Sequence, residues 1–307
     1  MRVCCIVFSC FLAFVVLSPK ALAYTDMPML NSKPKQALAP NPKLNEIFVN
    51  IYNFKFDRAD SLARTFPFQS TTERMAVKMF TLWWRGLTYP YPNKYLDSLD
   101  RLCLNIIGMR GSPPNPSVYD PFTVAVAGAF SIRISSIRRD NMFALRVFLK
   151  IRPTLLQIIY NPGNSPELML VSGVYNMAAA GIKKNQPLLR PFFVFLPPSS
   201  EANGREMLLR CTRSNYVPIA TEGYYFLYRI YEEINYNWRE AKPYSLWLTE
   251  KYPENPIFAV NHILLLRELG FDTTVQSKHL RAKVSATSLS PTQKFHVLEE
   301  LDIGKRK

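Results

Sequence analysis

The chain is 307 residues long, 48% hydrophobic and 20% charged, with 38 Lys and Arg against 23 Asp and Glu. A formal net charge of +15 invites a nucleic-acid reading, but the chain has no recognised nucleic-acid-binding motif and opens with an export signal, so that class is set aside. Past the first 23 residues no stretch has the roughly 18 uncharged apolar residues of a membrane span.

Met1 to Ala23 reads as a cleavable signal peptide. Arg2 supplies a positive n-region, Val3 to Leu17 is apolar, Ser18-Pro19 breaks the helix, and Ala21-Leu22-Ala23 forms an A-x-A site. An uncleaved anchor is disfavoured, since the apolar run falls short of the ~20 residues a span needs. A lipoprotein site at Cys10 is disfavoured because too few apolar residues precede it. Cleavage after Ala23 removes Arg2 and Lys20 and leaves a net charge of about +13. It also removes Cys4, Cys5 and Cys10. Cys103 and Cys211 remain; they could pair in an oxidising compartment or lie buried as small apolar residues, and the sequence leaves both open. There is no N-x-S/T acceptor, which favours a bacterial periplasm or cell envelope over an animal secretory pathway.

Residues 24–43, with Pro28, Pro34, Pro40 and Pro42 and no apolar period, read as a flexible tether. Residues 44–108 read as N-terminal helical hairpins. Ile47, Ile51 and Phe54 form one stripe, Lys55-Phe56-Asp57 a turn, and Phe66-Pro67 a stop. Thr71 to Leu87 and Lys94 to Ile107 give the next two helices, joined by Tyr89-Pro90-Tyr91-Pro92. Gly108 to Pro121 holds four prolines and marks a seam.

Residues 119–270 continue the hairpins. Phe122 to Tyr160 gives two helices parted by Arg139-Asp140-Asn141, and Pro153 should kink the second. Pro166 to Ile182 is neutral and rich in small residues, as a helix held closely between neighbours would be. A proline-rich crossover with the apolar run Phe192-Phe193-Val194-Phe195 leads to a helix over 201–214. The helix after Pro218 has Thr221 and Glu222 in its opening turn, where a carboxylate suits the dipole, and carries Tyr224, Leu227, Tyr228 and Tyr231. Asn235-Tyr236-Asn237 turns the chain, because Asn tolerates the left-handed conformation. The next helix carries Trp238, Ala241, Tyr244 and Trp247 and ends at Tyr252-Pro253, after which the first helix of a further pair runs to Leu269. Residues 271–307 read as a polar, poorly patterned segment, a terminal helix from Pro291 to Leu301, and the basic tail Lys305-Arg306-Lys307.

Leu227 and Tyr231 four apart, Ala241 in the following helix, and Pro253 twelve residues later resemble the tetratricopeptide-repeat family. The Phe56-x-x-Ala59 step repeats part of that pattern. The spacing from Tyr231 to Ala241 is one residue too long, and Tyr228 stands where a small residue is preferred, so the resemblance is to a divergent repeat. Residues 163–270 also have a motif order similar to divergent repeat families of exported bacterial and some organelle-associated eukaryotic proteins. The resemblance implies an all-α fold, an α-solenoid of about six antiparallel hairpins, and a non-catalytic binding scaffold.

Searching for chemistry gives negatives. There is no G-x-G-x-x-G, P-loop, G-x-S-x-G, H-E-x-x-H or C-x-x-C. His262, His279 and His296 are 17 residues apart on separate elements, which does not make a metal set. No catalytic residue, metal or cofactor is expected. Two surfaces could bind. Between Phe122 and Arg190 nine cations, including Arg133, Arg138, Arg139, Arg146 and Lys150, face only Asp140 and Glu167. Such a face suits anionic lipid or polysaccharide. Trp84, beside Trp83 on one helix, is the aromatic expected to face a groove and meet a peptide or glycan. The expected function is therefore an envelope scaffold for a protein or peptide partner, with a peripheral lipid- or polysaccharide-binding protein as the alternative.

Overall fold

The computed structural model describes residues 41–109, 119–187, 190 and 196–303. The expected signal peptide, most of the expected tether, most of the 108–121 loop, the Phe192–Phe195 run and the basic tail lie outside them. The described chain is all-helical. Its thirteen helices are α1 (Pro42–Tyr52), α2 (Phe56–Thr65), α3 (Thr71–Gly86), α4 (Lys94–Ile106), α5 (Pro121–Ile137), α6 (Asn141–Tyr160), α7 (Pro166–Asn185), α8 (Glu201–Cys211), α9 (Val217–Glu233), α10 (Trp238–Lys251), α11 (Pro256–Glu268), α12 (Thr274–Ser285) and α13 (Pro291–Ile303).

The helix starts are set by side-chain caps. Asn41, Ser70, Asn93, Asp120, Asp140, Ser165, Ser200, Asn237 and Asn255 each accept a hydrogen bond from a backbone N–H of the first turn. These donors have no partner within the helix, so a short polar side chain there fixes the boundary. Ser70 caps Glu73 N, and the buried Glu73 side chain reaches back to accept from Gln69 N at 2.8 Å, the residue before the cap.

Three expectations need correction. The 271–290 segment is not featureless: α12 occupies most of it and buries Leu280 and Val284 against α11 and α13. Its low hydrophobicity hid a narrow buried stripe. At the turn between α9 and α10 the left-handed residue is Tyr236 (φ 51°), not an asparagine. Both asparagines are committed elsewhere: Asn235 donates to Glu201 and Asn237 caps α10. Glu222 is not in an opening turn, because α9 begins at Val217 with Pro218 inside its first turn, where the missing N–H costs nothing.

Packing follows one rule for most of the chain. Every helix touches the next, and each even-numbered helix from α2 to α8 bridges two successive odd ones. The odd helices α1, α3, α5, α7 and α9 also touch in turn, and α9 returns to α1. That closing contact is not what an open stack of hairpins produces. It is held by Asn45, which donates to Asn215 O at 2.8 Å and accepts from Val217 N at 2.9 Å. Asn255, at the start of α11, adds a 2.8 Å bond to Tyr52 O. One apolar cluster runs from Leu44 to Leu265, and a smaller one joins α11, α12 and α13. Close approach of α7 and α8 depends on Gly204: a Cβ there would lie 2.4 Å from Met177 N. The small-residue helix is thus held closely, as its composition predicts.

Candidate functional site

Helices α3, α5, α6, α7 and α9 face a cavity of about 320 Å³, at the lower end of small-molecule sites. The stripes that face it are legible in their exposure. Val126, Ala129 and Arg133 on α5, Val171, Val174 and Tyr175 on α7, and Glu222 and Phe226 on α9 each retain accessible surface. These positions recur at helical spacing, so each helix turns one face to the shared space. Trp83, Trp84, Phe80 and Tyr225 complete a wall that is almost wholly carbon.

Three charged groups break that wall. The first is Glu222, surrounded by protein yet with part of its surface toward the cavity. Tyr52 donates to its Oε1 at 2.9 Å across the α1–α9 seam. Burial pushes its carboxyl up to about 7, because the ionised form loses its hydration; the Tyr52 hydroxyl and the Arg133 charge oppose the rise. The second is Arg133, which donates to Tyr225 Oη at 2.9 Å and lies 4.5 Å from the Trp83 ring centroid. It is held by a phenol and an indole face. The third is Arg152, half-buried on α6 between Ile151 and Leu155. Among the described residues its guanidinium makes no hydrogen bond or ion pair.

The sequence-predicted residues are scattered. Trp84 is only 2% exposed, packed edge-on to Tyr52 and Phe258 at 5.7 and 5.0 Å, so it is not on an outer groove. The α1–α9 closure covers the face that an open stack would leave free. Cys103 and Cys211 do not pair; both are free and buried on α4 and α8. Cys103 Sγ lies 4.0 Å from Met79 Sδ, and burial pushes both thiols up, Cys211 to about 12. They behave as small apolar residues. The five cations also divide. Arg133 turns into the cavity, and Arg138 is held by Asp97, Asp100 and Tyr91. Arg139, Arg146 and Lys150 are exposed, Arg139 in the left-handed conformation (φ 59°). Leu227, Tyr231 and Ala241 are buried between α9 and neighbouring helices, and Pro253 is exposed after α10.

Sequence reading missed Glu222 as an inward group, Tyr52 as its partner, and Arg152. The available signal was an acid at helical spacing with Ile219 and Phe226, both inward. His262 accepts or donates one bond with Ser245 Oγ at 2.8 Å; no group of three or more His, Cys, Asp or Glu that could hold a metal occurs among the described residues. No helix among them is long and apolar enough to cross a membrane.

Comparison with protein-family models, with curated proteins and with solved structures finds no match to this chain.

Proposed function

We propose that this chain is an exported, non-catalytic binding protein, built as a divergent helical-repeat array of antiparallel hairpins and cleaved after Ala23. Its guest seats in the cavity between α3, α5, α6, α7 and α9. The observation that carries this reading is the cavity's wall: apolar stripes from five helices converge on one space, with one carboxylate and two guanidiniums set among carbon. An apolar guest is favoured there because water makes few bonds in such a space and releasing it is favourable. The closing contact between α1 and α9 shifts the expected partner. A peptide laid along an open concave groove fits less well than a guest, or a single anchoring group of a partner, small enough to enter.

The neutral fluorophore N-phenyl-1-naphthylamine tests this directly. It should bind one-to-one with enhanced emission, and Ala129→Trp, which places an indole in the cavity, should abolish binding while leaving the melting temperature close to wild type. No saturable binding by the wild-type protein would overturn the reading.

A second reading rests on α6. Its outward stripe Met142, Arg146, Leu149, Lys150 and Tyr160 combines cations with large apolar groups, which suits peripheral contact with anionic lipid.

A further inference from the structure

Resting on the cavity reading above, we propose that the guest is an amphiphile with one anionic head, and that Arg152 is the head's counter-ion. The three charges in the wall are not equivalent. Arg133 is engaged by Tyr225 and Trp83, and it is the cation whose field reaches Glu222. Glu222 is in turn bonded by Tyr52. That cluster is electrically balanced when Glu222 is ionised. Arg152 is left over. It is half-buried beside Ile151 and Leu155 and has no bond or ion pair to any described residue.

A guanidinium offers five N–H donors in a planar fork, which a carboxylate or phosphate meets with two parallel bonds. In a wall otherwise made of carbon, such a bond is less screened than at an open surface. Among the described lining residues polar atoms are few against the apolar side chains, so the rest of the guest is mainly a hydrocarbon chain or ring. A cationic amphiphile would instead meet an unpaired arginine, and Glu222, the one carboxylate among the described lining residues, is already bonded by Tyr52.

Titration calorimetry of the full chain with dodecanoate, dodecyl phosphate and 1-dodecanol decides the matter. Each anion should bind one-to-one and at least tenfold more tightly than the alcohol; the tighter of the two identifies carboxylate or phosphate as the head. Arg152→Gln should weaken the anions by roughly tenfold to a hundredfold and leave the alcohol unchanged. Arg152→Lys should recover part of the loss, since it restores the charge but not the fork. Equal affinities for alcohol and anions, or an Arg152→Gln variant that binds the anions as wild type does, would sink the assignment of Arg152. If N-phenyl-1-naphthylamine still binds in that case, only the head group is wrong. If it does not, the cavity reading falls as well. Arg152 has no hydrogen-bond or ion-pair partner to lose among the described residues, so the variant's melting temperature should match wild type.

Discussion

Glu222 shows how a residue can be read correctly as helical and wrongly as part of the helix's opening turn. Near a proline an acid suggests a helix start, but the start lies one turn earlier, and the carboxyl is carried inward to Tyr52 and the cavity. Its placement has a thermodynamic consequence. The folded protein holds the carboxyl at about 7, against an ordinary value of 4.5. Between those values the folded state binds a proton that the unfolded chain has released, so stability falls as pH rises through that window and then levels off. The difference amounts to on the order of 3 kcal/mol at pH 8. Glu222→Gln keeps an acceptor for Tyr52 and removes the titration. His262 and His296, whose pKa burial lowers, work in the opposite direction, so the test is a difference: in thermal melts from pH 5 to 8 the variant should gain on the wild type as pH rises and be the more stable of the two at pH 8. A difference between variant and wild type that stays constant across this range would show that Glu222 is ionised without penalty.

At the scale of the element, most boundaries are written in short polar caps and in prolines, and chain reading places every described helix but α12 close to where it stands. It fails where the buried stripe is narrow, as in α12, whose Leu280 and Val284 sit among lysines and arginines. It fails again for α6, which reads as one more hairpin arm. One face of α6 lines the cavity with Ile151, Arg152 and Leu155, and the other exposes Met142 (51%), Leu149 (46%) and Tyr160 (58%) beside Arg146 and Lys150. No acid lies within its twenty residues. Each such cation near an anionic surface contributes about 1 kcal/mol, and salt screens that attraction over about 10 Å at 0.1 M. The full chain should therefore sediment with vesicles containing anionic lipid at low salt, and release at high salt. Arg146→Glu with Lys150→Glu should cut binding at least tenfold, with neutral vesicles unbound throughout. Undiminished binding by the double variant would move the contact away from α6.

For the whole molecule, local patterns report the helices and not which of them meet. The resemblance of Leu227, Tyr231, Ala241 and Pro253 to a repeat unit implies neighbours stacked in a line, each touching only the next. The α1–α9 contact depends instead on single side chains far apart in sequence: Asn45 with Asn215 and Val217, Tyr52 with Glu222, and Tyr52 O with Asn255. No periodicity encodes such pairings, and the cavity they help to enclose was illegible for the same reason. The closure makes a prediction about cooperativity. In a linear array, end units fray and unfold separately from the middle; in a closed ring, the loss of any segment exposes both of its neighbours. Trp83 and Trp84 stand on α3, and Trp238 and Trp247 on α10, so tryptophan emission samples two helices far apart in sequence. In urea, tryptophan emission and far-ultraviolet circular dichroism should give one coincident transition. Asn45→Ala removes two hydrogen bonds at the seam and should lower stability by about 1–3 kcal/mol, moving the midpoint without splitting it. Separate transitions for the two probes in the wild type would mean that the contact between α1 and α9 does not couple the ends, and that the helices behave as a line after all.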